Sequence, residues 1–585
     1  MKKNAPNLKT VPEEITLVSV ENPGTKPLYL QLLDLKGSVK NELPFEEKNS
    51  VGSVCNMTLK GLNIKNTGYR LRSGDESFMD PYCCHVAGDE KWGKYTPFGR
   101  FDTPPLTEVV PAKTVRAFSD MVIYYLHVRG FTRNKNSGAE KGGTFEGIIE
   151  KIPYFKELQV NTLELMPAYD FNEIIDEKIP ESQEEAKKEA PIRKRSRGRL
   201  NYWGYTSGNY FVPKNSYSAS GNGIASFKNM MSALHKADME VIADFYFEPS
   251  LTSRFIVDVL RYWVIDYGVD GFALFGSEIP VSDILRDPYL RKSKFIFENH
   301  PDSASLEFAG SDRKERIAVQ NNDFLYDNRR FLKSDADMLS RFACHLLSEG
   351  ECASVNYMAS FNTLTMNDMV SFDRKHNEDN GENNTDGTDL NYSWNCGVEG
   401  RSRRKAVEAL RERQIKNAFI YLLLSRGTPR ILMGDEFRNS QNGNNNPYCL
   451  DNPVTWLNWE DLEKNRETFE FVKKLIDIRH KNPVFRRSVE KKKGRYPETS
   501  FHGEMAWQAA FYDYFRHVGV LYSDKELYYL AFNMHWQEQK LALPKLEKSG
   551  RWKCMINTNA EKKEALTEGG FIIVPPRSVI ILRAE

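Results

Sequence analysis

Between residues 121 and 433, short apolar runs alternate with helix-like stretches, and this alternation constrains the chain more than any other feature. Val269-Asp-Gly-Phe-Ala-Leu-Phe275 is one such run, β-branched at its entry and followed by Gly276-Ser-Glu278. Phe255 to Tyr267, just before it, has the periodicity of a helix. Comparable runs are Met121–Val128, Asn161–Met166, Glu240–Phe247, Ser293–Phe297, Ile317–Gln320, Ser354–Met358 and Pro429–Met433. They show little polar alternation, as expected of strands covered on both faces. Eight strand–helix units predict a (β/α)8 TIM barrel, whose chemistry gathers at the C-terminal strand ends.

The flanks read differently. Ile15–Val20, Leu28–Leu33 and Ser53–Leu59, separated by Gly, Pro and Asn, predict a β-sandwich over 1–112. The barrel is expected over 113–488. Leu527–Phe532, Trp552–Ile556 and Ser578–Leu582 predict a second sandwich over 489–585. The expected architecture is therefore multidomain, a central barrel between N-terminal and C-terminal all-β sandwiches. At 585 residues the chain is too long for one core.

Composition narrows the partners. With 81 Lys+Arg against 80 Asp+Glu, nothing favours nucleic acid or an anionic membrane. The run Glu173–Leu200, with Arg193-Lys-Arg-Ser-Arg-Gly-Arg199, is expected to be a solvated loop because no aromatics interleave its arginines. No apolar run suits a bilayer, and Met1-Lys-Lys-Asn lacks the apolar core of a secretory signal, so a cytoplasmic protein is expected. The eight cysteines have no metal-ligand spacing, and no cofactor or metal is assigned; the carboxylates of the loop His376–Gly400 leave a calcium site open, without recognisable ligand spacing.

The loops are more specific. Ile123–Phe131, Asn201-Tyr-Trp-Gly-Tyr205, Phe211-Val-Pro-Lys214, Lys375–Asn384, Asn391–Gly400, Gly434-Asp-Glu-Phe437 and Gly443–Cys449 closely resemble the isoamylase and bacterial glycogen-debranching branch of the α-amylase superfamily. The resemblance covers nearly the full chain, the first sandwich resembling a glycogen-binding module. It implies retaining hydrolysis of α-1,6 branch points in glycogen or starch-like glucans. That chemistry needs a carboxylate nucleophile, a carboxylic acid for the leaving oxygen and a charge to steady an oxocarbenium-like transition state.

Each requirement maps to a strand end. Lys294-Phe-Ile-Phe-Glu298 resembles the fifth-strand motif that ends in the general acid, so Glu298 is the retained acid position. The fourth-strand motif carries an arginine two residues before the nucleophilic aspartate; here Ala273 and Phe275 occupy those places. The seventh-strand histidine and aspartate become Phe361 and Asn362. On the third strand Asp244 is kept, while the following Asn-His becomes Glu248-Pro249. Asp244 and Phe275 lie 31 positions apart, so the long excursion that walls the cleft in active relatives is missing. Tyr205 matches the tyrosine that stacks beneath a glucose ring, beside Trp203. Trp92 and Tyr69 suit either a sugar surface or packing.

The resemblance and its departures together predict a catalytically degenerate homologue that binds α-glucan. For such homologues the resemblance also implies a hetero-oligomer with an active debranching enzyme. Two alternatives stand beside it. One is a weak or altered retaining α-1,6-glucosidase using Glu298 with Glu278 or Glu248; the other is a structural subunit without sugar affinity. Retaining geometry wants carboxyls roughly 5 Å apart, which disfavours Glu278 as a stand-in.

Overall fold

The computed structural model describes residues 15–22, 24, 26–102, 107–174, 200–489, 496–547, 550–559 and 567–585. Residues 175–199, most of the charged insertion, lie outside them. Two compact units result. The first comprises residues up to Thr107 with Tyr169–Ile174 and Ser207–Ser226; the second holds the rest, including the C-terminal sandwich.

In the first unit, Ile15–Glu21, Val54–Lys60 and Ser50–Val51 form one antiparallel sheet. A larger one is built around Leu28–Leu33 and Gly68–Ser73. Leu28, Leu30 and Leu33 are buried where the strand alternates, as a half-covered strand should be. Trp92 stacks on Tyr217 (5.6 Å, 16°) and Tyr69 on Phe101 (4.6 Å, 30°), so both rings are engaged in packing within this unit. Glu173, the first residue of the expected solvated loop, is instead fully buried. Its carboxylate meets the Lys214 ammonium at 2.9 Å, which explains how a charge can leave water there.

The second unit contains the barrel. Its strands are β1 (Ile123–Leu126), β2 (Thr162–Leu165), β3 (Glu240–Tyr246), β4 (Gly271–Phe275), β5 (Lys294–Phe297), β6 (Ile317–Gln320), β7 (Ala353–Asn356) and β8 (Thr428–Leu432). They close in chain order, all parallel, with β8 returning to β1. The expected TIM barrel is the observed one, down to the four-residue β6. Ile123, Ile242, Ala273, Phe275, Ile296, Ala318 and Val355 share its apolar interior.

Two local features set the end of β4. Thr252 caps the helix Ser253–Tyr267, its side chain accepting from the Phe255 N–H at 3.3 Å, and Gly268 ends it at φ 68°. Only Phe247–Thr252 joins β3 to that helix, so the connection is as short as the sequence spacing required. Gly276 then turns away at φ 129°, where a Cβ would stand 2.3 Å from the Phe247 carbonyl oxygen. No larger residue fits that turn without displacing the strand end.

The C-terminal sandwich pairs a five-stranded sheet, centred on Leu527–Asn533 and Ser578–Ala584, with a three-stranded one. Helix Lys405–Leu423 ties it to the barrel. Asn417 Nδ2 donates to Arg577 O at 3.0 Å, and its Oδ1 accepts from Thr558 Oγ1 at 2.7 Å.

Candidate functional site

Strand period and pairing bring the candidate residues together at the C-terminal barrel mouth. Asp244 pairs with Ala273, and Tyr246 with Phe275. Inward positions on β1, β2 and β8 add Tyr125, Glu164 and Arg430. Glu164 and Arg430 form a buried ion pair at 2.9 Å, and Arg430 also lies 4.8 Å from the Tyr125 ring centroid and 4.4 Å from that of Tyr357. Burial works against the guanidinium charge, but Glu164 outweighs it and holds the Arg430 pKa above its ordinary value.

Asp244 is sealed beneath this layer. Its Oδ2 accepts from Tyr205 Oη at 2.6 Å and Tyr125 Oη at 2.8 Å, and those two hydroxyls are 2.5 Å apart. Desolvation, then the neighbouring Glu164 charge, pushes its pKa well above the carboxylate range despite those donors. Burial thus favours the protonated form of Asp244, while both phenols donate to its Oδ2. Neither it nor Ala273, both expected at a sugar surface, presents any surface to a ligand; each is enclosed by the barrel wall.

Above Asp244 lie rings. Phe275 ends β4 with its ring 5.0 Å from Tyr205 at 70° and 6.4 Å from Phe361 at 77°. Tyr205 stacks on Phe361 at 4.8 Å and 18°, and Trp203 meets Phe361 edge-on at 4.8 Å and 84°. Edge-to-face and offset contacts at these separations are mutually attractive. One face of the Tyr205 ring is thus taken by Phe361, a residue of the chain itself.

The polar candidates border the rings: Asn362 follows Phe361, and Glu298 is bonded to the residue after Phe275. Glu298, just past β5, is exposed, and Gly276 N–H donates to its Oε2 at 3.4 Å. Desolvation raises its pKa, opposed by that hydrogen bond. Asn362 and Glu278 are exposed; Glu248 is half-buried. Among the described residues no group of three His, Cys, Asp or Glu side chains could hold a metal ion, in the 376–400 loop or elsewhere. No helix there is long and apolar enough to cross a membrane. A groove of about 680 Å³ lies along Arg254, Asp258, Arg261, Asp283 and Arg286. Its arginines are occupied, Arg261 with Asp258 at 3.2 Å and with Asp287.

Tyr125, Glu164 and Arg430 were not singled out from the sequence. Glu164 and Arg430 each interrupt an apolar strand, and a charge in such a strand requires a partner. That interruption was the available signal.

Comparison with known proteins shows the lineage of the chain. The family model for the α-amylase catalytic domain matches residues 126–253. Over 91% of its length the chain is 30% identical to chloroplastic isoamylase 1 of Arabidopsis thaliana, covering 81% of that protein. The chain belongs to the isoamylase family. Another isoamylase, chloroplastic isoamylase 3 of rice, is 28% identical over 92% of the chain and 80% of its own length. The isoamylase fold extends to solved structures as well. The pullulanase from Paenibacillus barengoltzii, solved in complex with maltohexaose and α-cyclodextrin, superposes with a TM-score of 0.69. It shares 19% identity and covers 98% of this chain and 94% of its own.

Proposed function

We propose that this isoamylase-family chain is a non-hydrolytic α-glucan-binding homologue that works beside an active debranching enzyme. The observation that carries the reading is the Phe275 ring, packed against Tyr205 and Phe361 at the end of β4, where relatives with the family's motif supply the nucleophile. A phenyl ring offers no lone pair to an anomeric carbon. Losing a catalytic nucleophile alone lowers rates by roughly 10⁴ to 10⁶. Glu298 can offer a proton to a leaving oxygen, but with no nucleophile at hand neither step of the retaining reaction is completed.

One observation favours a second reading, a weak retaining α-1,6-glucosidase. Glu298 combines an exposed strand-end position with a raised pKa, the property a general acid needs. Incubation of the full chain with glycogen, followed by reducing-end counts, separates the two. No release is expected. Sustained release that disappears in Glu298→Gln would replace the first reading by the second. Migration unaffected by glycogen embedded in a native gel would leave only a structural subunit.

A further inference from the structure

Residues 503–516 of the C-terminal sandwich, Gly-Glu-Met-Ala-Trp-Gln-Ala-Ala-Phe-Tyr-Asp-Tyr-Phe-Arg, connect strands Thr499–His502 and His517–Ser523. Its rings stand in solvent: Tyr514 is 64% exposed, Tyr512 60%, Trp507 46% and Phe511 40%, and Trp536 nearby adds 58%. Leaving several large rings together in water forgoes stabilisation that contact would supply, and such patches mark binding surfaces.

Three observations describe what fits. The rings stack in pairs, Tyr512 on Tyr514 within 9° at 5.7 Å, Tyr496 on Trp507 within 18° at 6.2 Å, and Trp536 on His535 within 24° at 4.1 Å, so each ring has only its other face to offer a ligand. Flat apolar faces edged by phenol and indole polar groups match a pyranose, which is apolar on its C–H face and hydroxylated around its rim. The segment contains no Leu, Ile or Val, and Met505, 61% exposed, is its one large aliphatic side chain. Its charges are few and mixed, Glu504 and Asp513 against Arg516, which suits a neutral ligand rather than a polyanion.

The backbone beneath is held in place. Asp337 N–H donates to Asp513 O at 2.8 Å, Arg516 Nε to Ser334 O at 2.8 Å and Arg516 Nη1 to Tyr514 O at 2.6 Å. Trp507 N–H donates to His502 Nδ1 at 2.9 Å, and the Arg516 guanidinium lies 5.5 Å from the Trp536 ring centroid. A ledge fixed in this way loses little freedom when a ligand lands on it.

We infer that the Tyr512–Tyr514 ledge, with Trp536 beside it, is a surface site for a neutral α-glucan chain, separate from the ring-filled barrel mouth. This rests on the glucan-binding reading above. It also supplies what that reading lacks, an open aromatic surface.

The test uses the full chain in native gels with and without glycogen, and calorimetric titration with maltoheptaose. The variants are Tyr512→Ala/Tyr514→Ala and Tyr512→Phe/Tyr514→Phe, each checked for an unchanged melting temperature. Wild type is expected to be retarded by glycogen. The alanine pair should lose that retardation and bind maltoheptaose about tenfold more weakly, the size of effect expected from removing two apolar platforms. The phenylalanine pair should keep most of the binding. Retarded wild type with an equally retarded alanine pair would overturn the ledge and leave glucan binding standing. Wild type without retardation would end both. An oligomer that the alanine pair dissociates, with glucan affinity unchanged, would make the ledge a protein interface and overturn the inference.

Discussion

The Tyr205 ring lies 4.8 Å from that of Phe361, within 18° of parallel, while its hydroxyl reaches down to Asp244 at 2.6 Å. One residue thus joins the apolar lid of the barrel to its buried polar layer. Changes on either side of it should be felt on both.

Phe275→Asp is expected not to create a hydrolase. The new carboxylate would enter a pocket walled by Tyr205 and Phe361, where an unpaired charge costs several kcal/mol or stays protonated. Ala273, Phe361 and Asn362 would be unchanged. Reducing-end counts should stay at the wild-type level while the urea midpoint falls; substantial glycogen hydrolysis would show that the ring alone blocks chemistry.

Asp244→Asn should be nearly neutral in stability at pH 7, within about 1 kcal/mol, because a neutral amide oxygen can accept the same two phenol hydroxyls. Asp244→Ala leaves both hydroxyls without that acceptor and should cost about 2–4 kcal/mol. Denaturant titrations of the two variants check the order. A larger loss for Asn than for Ala would mean that Asp244 is ionised.

Removing one member of the Glu164–Arg430 pair strands the other in the barrel. Arg430→Met should cost about 3–5 kcal/mol, and adding Glu164→Leu should recover most of it. A double-mutant cycle measures the coupling. Additive losses would mean that the pair contributes nothing beyond its separate packing.

Glu436 sets a pH dependence. Buried among Tyr124 and Tyr154, whose hydroxyls donate to its Oε1, it has a pKa raised from 4.5 to about 7, chiefly by desolvation. The folded state therefore holds this proton more tightly than the unfolded chain. The stability it contributes is complete below pH 4.5 and is lost as pH rises through 7. Glu436→Gln, neutral throughout, should flatten this part of the profile and gain on wild type by on the order of 3 kcal/mol by pH 8. Parallel pH-dependent melting curves for the two proteins would contradict it.

Most of the barrel was legible in the sequence because its strands are local apolar runs. Even Ile317–Gln320, the weakest of them, forms β6 between β5 and β7. The positions of Phe275 and Glu298 at the ends of β4 and β5 followed from the same pattern, whereas Phe361, placed by the family resemblance, lies beyond the end of β7. What those side chains touch did not. Tyr205 and Phe361 are 156 positions apart, and no local pattern says that a loop tyrosine will turn its face onto a phenylalanine rather than leave it open. Glu164 and Arg430, 266 positions apart, are likewise joined only by barrel closure. Glu173 reads as the start of a charged run, yet Lys214, just past the strand Gly208–Pro213, draws it inside.

Gly276 and the short Phe247–Thr252 connection give the barrel mouth a direction of change. In a working hydrolase, a catalytic hollow is maintained at the expense of packing; on the reading proposed above, the rings of Phe275, Tyr205 and Phe361 fill that place here. Every step back toward chemistry would first have to unpack rings and lengthen a segment whose backbone already abuts Gly276. On that reading, gaining hydrolysis would be a matter of excavation rather than of exchanging one side chain.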